Sequence, residues 1–589
     1  MEISGILMAL KTIKPSLTFL NLILLFIYMN KKTIPILILL ITFLLTLILI
    51  ISNKSNQNRS IQSVGHLQIY DYQINDDKIS KSDLSDCLLY VSALVILLLF
   101  LSLFIKRAWF EKILFISLIL LTIFSSFITL YRYGITRDKY FDAGDTFHYY
   151  LGPKYFFELG YENHYICSLI ALDELKLDIP KYVRNLKINQ VKKTSKFLNN
   201  EAKTFCKNVF SKERWNEFRK DIKIYHSWHG KRGWQRRFID HGYNGTPVYN
   251  FFASTLSNLV PVNFFNMTML SLLNLVMVLI MFILVLYAFD WKIGLLFIIF
   301  FWINVPDSYL LGGAFLRYFW ISALVAGISL LKLNKYSLAG ILISLSTMLI
   351  IFPIFFIIGI CIKYIYKIIH EKKLVVRKYR RFLISTMLTI IILFCLSLTV
   401  GRGFENWTGF VHQMKINSGR MASGRIGFIY NFIFPKEFHK SAKQLDYEPR
   451  QNKFKKPLYL YFSLKHVYFL FILFFIIYLI KISRYMDDVS FITLFGFTLF
   501  FLLFSTVRYY YAGLLGLPLI FFNWIESTKG KIMLMSLFLI MLVAYIIEDK
   551  VIYCFIYNTW FSATITIFLF ITIFLFNRKS GKKTIIHTN

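Results

Sequence analysis

Long apolar runs separated by short polar links make up most of this chain. Several runs are shorter than the roughly 20 residues that span a hydrocarbon core, so their boundaries are approximate. The runs lie near residues 17–29, 33–52, 87–106, 113–131, 264–289, 293–305, 311–331, 336–349, 354–370, 382–400, 466–482, 489–505, 510–526, 531–547 and 560–576. This pattern predicts an all-α, polytopic membrane protein.

Composition supports the same class. The chain has 589 residues, 57% of them hydrophobic, with 61 Phe and 36 Tyr, and such a chain cannot fold in water without exposing large apolar patches. The formal net charge is +35, yet no basic motif with a groove-reading fold appears, so no nucleic-acid partner is predicted. Lys and Arg lie largely in the links, where they fit cytoplasmic loops beside anionic membrane lipid.

Three basic clusters predict the orientation, because cytoplasmic loops are enriched in Lys and Arg. They are the link with Lys106, Arg107 and Lys112, the segment 363–381 and the tail NRKSGKK. We expect all three in the cytoplasm.

The segment 336–370 is flanked by basic links, so it should cross the membrane, turn near Phe352-Pro353 and return. The number of crossings must agree with the sides on which the two termini lie, and this leaves the placement of the run 17–29 open. If both termini are cytoplasmic, this run lies in the interface or only dips into the membrane, and about fourteen crossings remain, whereas an outside amino terminus gives about fifteen. No small-residue cleavage site follows the first runs, so we predict no removed signal peptide.

Most polar residues then fall on one side of the membrane. The large outer segments are 132–247 and 401–465, and shorter outer turns carry Asp307 and Arg508. Long loops are translocated largely regardless of charge, so the basic excess of the first segment is compatible with this side. We therefore expect the protein to work there.

The first outer segment opens with an acidic and aromatic stretch, FDAGDTFHYYLGPKYFFELGY, at 141–161. Asp142 and Asp145 are three residues apart, so a helical turn places both on one face, with His148 and Tyr149 close by. Such a cluster can move a proton or hold a cation. The alternative is that these acids are simply solvated beside a membrane helix.

Cysteine usage points to one disulfide. Of six cysteines, four (Cys87, Cys361, Cys395 and Cys554) lie in or beside apolar runs, as small core residues do. Cys167 and Cys206 instead lie in the long outer loop, and a bridge between them would close about forty residues. No CxxC or HxxxH spacing for zinc is present.

A multi-pass chain whose first large outer loop opens with an acidic motif resembles the C-type (GT-C) glycosyltransferases. Asp145 and Tyr149 match the D-x-x-x-Y motif of glycosyltransferase family 87, the polyprenol-phosphate-mannose-dependent mannosyltransferases and their bacterial relatives. The stretches HYYLGPKYFFELGY, DHGYNGTPVYNFF at 240–252 and GGAFLRYFWISALVAGISLLK at 312–332 are similar to these relatives, in order, over about 113–525. The resemblance implies a helical bundle of about 14 membrane helices and sugar transfer with inversion.

One stretch departs from the family pattern. Such relatives often have a basic residue before the Phe-Pro of the membrane hairpin, whereas this chain reads LIIFP at 349–353. If that base holds a donor phosphate, another residue must supply the charge here. The resemblance divides the chain into accessory helices at 1–112, a catalytic core at 113–525, and membrane helices with a basic tail at 526–589.

Sugar transfer from a lipid phosphate needs a base for the acceptor hydroxyl and cations for the departing phosphate. Asp145 is the expected base, with Asp142 as a neighbour that raises the basicity of the pair or steers the acceptor. Metal use stays open, since Asp142 and Asp145 with a phosphate could hold Mg²⁺ or Mn²⁺.

For the phosphate, Arg317 is the sharpest candidate, because a guanidinium grips two oxygens and a charge inside an apolar run is costly. The alternative is that Arg317 snorkels to the outer head groups. The remaining candidates for substrate binding are mostly basic or aromatic residues of the outer segments, each of which is alternatively a solvated surface residue: His148, Tyr149, Lys154, His412, Arg420, Arg425, Arg508 and Tyr510.

The sequence thus favours a membrane hexosyltransferase that moves a sugar from a polyprenyl-phosphate donor to an extracytoplasmic glycan, lipid or protein acceptor. It is expected in the bacterial inner membrane with its active site facing the periplasm. The alternatives are a transporter or flippase for a lipid-linked glycan, which would more naturally show internal repeats, and a glycan polymerase or ligase.

Overall fold

The computed structural model describes residues 81–134, 141–229, 231–303, 315–372, 376–418, 425–432, 455–507, 516–550 and 554–578, together with Pro35 and Leu39. These residues are almost entirely helical, with two short two-stranded sheets. The predicted runs 17–29 and, except for those two residues, 33–52 lie outside them.

The described residues contain 21 α-helices. In chain order they are α1 (Lys81–Phe104), α2 (Ala108–Gly134), α3 (Ala143–Tyr149), α4 (Leu151–Lys154), α5 (Phe156–Leu159), α6 (His164–Glu174), α7 (Asn200–Val209), α8 (Lys212–Trp228), α9 (Lys231–Ile239), α10 (Pro247–Leu259), α11 (Phe264–Ala288), α12 (Trp291–Ile303), α13 (Phe319–Lys332), α14 (Tyr336–Leu349), α15 (Ile354–Glu371), α16 (Arg377–Ser397), α17 (Glu405–Ser418), α18 (Lys455–Ile482), α19 (Asp488–Leu503), α20 (Thr528–Lys550) and α21 (Cys554–Arg578). The strands are β1 (Tyr182–Asn185), β2 (Gln190–Lys193), β3 (Arg425–Ile426) and β4 (Thr506–Val507).

Seven of the described helices are long and apolar enough to cross a membrane. Their candidate spans are Cys87–Phe104, Ala108–Leu130, Phe264–Ala288, Arg377–Ser397, Leu464–Tyr485, Thr528–Ile547 and Thr559–Asn577. The helices α12, α13, α14 and α19 are apolar but shorter. Apolar side chains such as Met387 and Ile391 point away from the protein, as expected for lipid contact. The chain is therefore an all-α integral membrane protein.

Helix α14 makes different contacts at its two ends. At its carboxyl end, the hydroxyl of Thr246 donates to the carbonyl oxygens of Met348 (2.8 Å) and Leu349 (3.2 Å), which attaches the outer segment to the turn of the predicted hairpin. At its amino end, Tyr336 binds Asp488, the first residue of α19. Helices α14 and α15 form the hairpin with its turn at 350–353, as predicted.

The segment 141–247 forms a small helical domain beside the bundle, named the outer domain after the side of the membrane that the sequence predicts for it. Phe147 lies at its centre and contacts the rings of Tyr165, Tyr225, Trp234 and Phe238. Strands β1 and β2 pair antiparallel, and a disulfide joins Cys167 of α6 to Cys206 of α7, with 5.5 Å between the Cα atoms. The structure thus contains the bridge that the cysteine positions suggested.

One predicted run differs in the structure. Where 510–526 is described, residues 516–521 form a 3-10 helix and residues 522–526 a turn, not an α-helix. Pro518 fixes the backbone and removes a hydrogen-bond donor in this stretch, which favours a short, tight turn over a continuous helix.

Candidate functional site

Helix α3 places the acidic motif, and its first carboxylate is used as a cap. The side chain of Asp142 accepts hydrogen bonds from the backbone N–H groups of Gly144 (2.8 Å) and Asp145 (3.1 Å). Arg237 lies 4.0 Å from the same carboxylate. An aspartate at this position satisfies amides that no other helical residue can reach. Asp142 therefore fixes the start of the helix that carries Asp145.

Asp145 lies in the first turn of α3 and is bound on both carboxylate oxygens. Its Oδ1 forms an ion pair with the guanidinium of Arg317, and its Oδ2 accepts from the backbone N–H of Phe315 at 3.1 Å. The side chains of Asp145 and Arg317 are 7% and 15% exposed. The two residues that the sequence proposed as base and phosphate ligand are therefore in direct contact, although 172 positions separate them.

The backbone between these two contacts is strained. Leu316 has φ +52°, a left-handed conformation that costs a residue with a side chain roughly 1–2 kcal/mol. Its side chain is buried, so packing holds it in place. This conformation lets the Phe315 N–H and the Arg317 guanidinium both face one carboxylate, and strain of this kind is common where function fixes a backbone.

Tyrosines surround the ion pair. The Arg317 guanidinium lies over the ring of Tyr149, 5.1 Å from its centre, and the Tyr149 hydroxyl donates to Asn244 Oδ1 at 2.6 Å. The hydroxyl of Tyr249 donates to the Phe315 carbonyl oxygen at 3.0 Å. Tyr149 is therefore held at both its ring and its hydroxyl, and it stabilises the orientation of Arg317 by a cation–π contact.

Helix α10 connects this wall to the membrane hairpin. Thr246 caps α10 by accepting from the Tyr249 N–H at 3.0 Å, and Pro247 occupies the first helical position. The same hydroxyl donates to the carbonyl oxygens at the end of α14. A shift of the hairpin turn would thus move Tyr249, which contacts the loop of Arg317.

His148 lies in the aromatic core of the outer domain. Its Nε2 is 3.6 Å from Asp240 Oδ2, and its ring faces that of His164 at 6.4 Å between centres. Burial, followed by the nearby Arg237, lowers the pKa of His148 to about 3, and burial lowers that of His164 to about 3. Both imidazoles are neutral at pH 7. This position gives His148 a packing role beside Asp145 and no described contact with the Asp145–Arg317 pair.

Lys154 lies in a separate buried ion cluster. Its Nζ is 2.7 Å from Asp221 Oδ2 and 2.8 Å from Glu217 Oε1, and the hydroxyl of Tyr155 donates to the same Asp221 oxygen at 2.8 Å. Arg214 also binds Glu217, at 2.7 Å. Because its charge is matched by two carboxylates, Lys154 fits a structural role that ties α4 to α8.

The remaining predicted residues lie on other elements. His412 of α17 is 3.9 Å from Glu162 and 3.4 Å from the Lys187 carbonyl oxygen, next to the β1–β2 turn. The backbone of Arg425 in β3 pairs with Val507 in β4, so the outer segment 401–465 meets the chain just before Arg508. Arg420, Arg508 and Tyr510 lie outside the described residues.

Sequence reasoning did not single out Phe315, Asn244, Thr246 or Tyr249. A backbone N–H has no side-chain signature, so Phe315 could not be found. The other three lie in the stretch 240–252 that was quoted for the family resemblance, and Thr-Pro followed by an apolar helix is a readable helix start.

No group of three or more His, Cys, Asp or Glu side chains that could hold a metal ion is present among the described residues. Both oxygens of Asp145 already have donors, and Asp142 caps a helix. Metal use by Asp142 and Asp145 therefore stays a prediction.

Comparison of the chain with family models, with curated proteins and with solved structures gives no match. The resemblance to glycosyltransferase family 87 therefore stays a prediction that rests on the motifs quoted above.

Proposed function

We propose that this protein is a membrane glycosyltransferase of the C type, which transfers a sugar from a polyprenyl-phosphate donor to an extracytoplasmic acceptor. The contact between Asp145 and Arg317 supports this most directly. It joins a candidate proton acceptor to a candidate phosphate ligand beside a membrane-embedded bundle. Those are the two functions that the reaction requires.

In the proposed reaction, the acceptor hydroxyl oxygen attacks the anomeric carbon and its proton passes to Asp145. The bond from that carbon to the phosphate oxygen breaks, and the electron pair leaves with the polyprenyl phosphate. Arg317 stabilises the negative charge on this leaving group. Attack from the face opposite the phosphate inverts the anomeric centre.

The ion pair suggests how the two steps are linked. A carboxylate that shares its charge with a guanidinium is a weaker proton acceptor than a free one. The donor phosphate would compete with Asp145 for Arg317, and its binding would leave Asp145 more basic. Donor binding would therefore activate the base before the acceptor reacts, which limits loss of the donor to water.

The finer architecture belongs to the same proposal. We assign a GT-C-like bundle of about 14 membrane helices in a bacterial inner membrane, with Asp145 facing the periplasm. The basic link at 106–112 and the basic segment 363–381 support this orientation. The outer domain binds the α14–α15 hairpin at its turn, which is the end opposite these basic residues.

Asp145→Asn tests the chemistry, because it keeps the side-chain size and removes the proton acceptor. Transfer from a polyprenyl-phosphate sugar to membrane-extract acceptors should fall by about 10²–10⁴-fold. Arg317→Lys should also reduce transfer, since an ammonium cannot grip two oxygens. Asp142→Gln is the control, and it should affect stability more than the chemical step.

If Asp145→Asn retains near-normal transfer, the assignment of the base is wrong, and if no donor supports transfer in the parent protein, the enzyme proposal fails.

Orientation can be tested by single cysteines in a background without exposed thiols. Cysteines at Lys212 and Glu405 should react with an impermeant reagent on intact cells, and cysteines at Arg107 and Lys372 should react only after permeabilisation. Protection of position 212 in intact cells would reverse the proposed topology.

A further inference from the structure

The β1–β2 hairpin with its flanking residues, 181–196, is the most one-sidedly charged part of the outer domain. This basic hairpin has six basic residues and no Asp or Glu: Lys181, Arg184, Lys187, Lys192, Lys193 and Lys196. Such a surface attracts anions and concentrates them by its summed potential.

The lysines of the basic hairpin are available to a partner. Lys181, Lys187, Lys193 and Lys196 are exposed. Within the residues that the structure describes, no carboxylate lies at ion-pair distance from any of the five hairpin lysines. Lys203 of α7, in contrast, binds Asp173 at 2.8 Å. The basic hairpin therefore presents its positive charge to solvent.

An aromatic ring lies among these ammonium groups. Tyr182 is 38% exposed and pairs directly with Lys193 across the hairpin, while Lys181 Nζ is 5.6 Å from the centre of its ring. Residues directly opposite in an antiparallel pair share a face of the sheet. An exposed ring can stack on the apolar C–H face of a sugar, and the adjacent ammonium groups can bind acidic substituents of the same sugar.

The basic hairpin is held rigidly. Arg184 Nε donates to the carbonyl oxygens of Ile239 (2.9 Å) and Asp240 (3.0 Å), and the Lys181 N–H donates to Gln235 at 2.7 Å. A surface fixed in advance loses less entropy when a partner binds.

The same contacts connect the basic hairpin to the candidate site. Asp240, whose carbonyl binds Arg184, has its carboxylate 3.6 Å from His148 Nε2. His148 lies in α3, the helix that carries Asp145. A polymer bound along the hairpin is therefore held on the same structural unit as the proposed base.

We infer that the basic hairpin binds an acidic glycan, a chain of sugars with carboxylate or phosphate groups, and that this glycan is the acceptor. The acceptor role rests on the proposed function, whereas the binding does not. A lipid head-group surface would satisfy the lysines but provides no sugar face for Tyr182, so the exposed ring favours the glycan.

Binding is tested with full-length protein in nanodiscs of zwitterionic lipid and a fluorescently labelled oligogalacturonate. A neutral maltooligosaccharide of equal length is the probe control. The variant Lys181→Glu/Lys187→Glu/Lys193→Glu should weaken binding by at least about tenfold at low salt. The matched control, Lys212→Glu/Lys220→Glu/Lys223→Glu, reverses three exposed lysines of α8 and should change binding much less.

Tyr182→Ala should weaken oligogalacturonate binding several-fold and leave its salt dependence unchanged, because it removes stacking and no charge. Equal losses in both triple variants, or equal binding of the neutral probe, would overturn the inference. Binding to phosphatidylglycerol vesicles that depends on the basic hairpin, without oligogalacturonate binding, would replace the glycan with a membrane surface.

The proposed enzyme activity is separable from this result. Asp145→Asn should bind oligogalacturonate normally. If the parent protein transfers sugar but does not bind the probe, the acidic acceptor is wrong and the enzyme proposal stands. If it binds the probe but transfers no sugar, the glycan-binding surface stands, and the enzyme proposal fails together with the acceptor role.

Discussion

Two buried carboxylates, one at each end of the bundle, differ in how they are held. The side chains of Asp145 and Asp488 are similarly buried, at 7% and 11% exposed. Asp488 accepts hydrogen bonds from Tyr336 (2.7 Å), Lys378 (2.6 Å) and Tyr379 (2.8 Å), and Lys363 lies 3.7 Å away. Its partners come from three other helices.

Asp145, in contrast, has one guanidinium and one backbone N–H as its described donors, and both come from a single strained loop. Removing one partner from Asp488 leaves several others, whereas a competing anion can take Arg317 away from Asp145. Burial alone therefore does not separate Asp488 from the proposed base, Asp145. The two carboxylates differ in the number and origin of their partners.

The largest stability effect should come from Asp488→Ala. This change leaves Lys363 and Lys378 without their carboxylate and breaks a buried network, which typically costs about 3–5 kcal/mol. The melting temperature of the purified protein in detergent should fall sharply. Asp145→Asn should lower it less, because this change removes a single ion pair, with Arg317, and the amide oxygen can still accept from the Phe315 N–H. Equal decreases in the melting temperatures of the two variants would show that Asp145 and Asp488 stabilise the fold equally, which would contradict the comparison between their partners.

Removing the disulfide should weaken the site end only. A double change, Cys167→Ala/Cys206→Ala, frees a loop of 39 residues and should cost about 2–4 kcal/mol. Limited proteolysis should then cleave the outer domain faster and leave the helices around Asp488 protected. Cys395→Ala, an exposed free cysteine, is the control. Unchanged proteolysis would show that packing alone holds the outer domain.

Acid should also affect the outer domain first. The pKa of both His148 and His164 is lowered to about 3 from the usual 6.5, mainly by burial. Below pH 6.5 the unfolded state therefore binds protons that the folded state excludes. Folding stability should therefore decrease as the pH falls from 6.5 toward 3.

The pH effect can be measured as outer-domain proteolysis at pH 7.5 and pH 5. Replacing both buried histidines with Phe should flatten the dependence, whereas His412→Gln, at an exposed position, should not. A pH dependence that survives loss of both buried histidines would assign it to other groups.

Much of the helical fold could be predicted because lipid imposes a simple rule. Backbone groups in a bilayer must bond within their own helix, so apolar runs such as 264–289 become helices regardless of context. The prediction of a helix at 510–526 was wrong because a proline lies within that run. The hairpin turn at 350–353 was readable from its own proline.

The candidate site could be predicted only in part. Asp145 could be singled out because it is the acid of the D-x-x-x-Y motif. Arg317 could be singled out because it is a charged residue inside an apolar run. Their contact depends on tertiary structure. The ion pairs of Lys154 could not be predicted, because its partners, Asp221 and Glu217, lie more than 60 residues away on one face of α8. The partner of a charged residue cannot be recognised from the sequence when it lies far away along the chain.

The pairing of β3 with β4 has a consequence for how the protein is made. Residues 425–426 pair with residues 506–507, about 80 positions later in the chain. In the proposed topology, β3 is exported first during synthesis and must wait until α18 and α19 have entered the membrane. The Asp145–Arg317 contact can form before either helix exists. A nascent chain released before residue 506 would therefore contain both Asp145 and Arg317, but it would lack the pairing of β3 with β4.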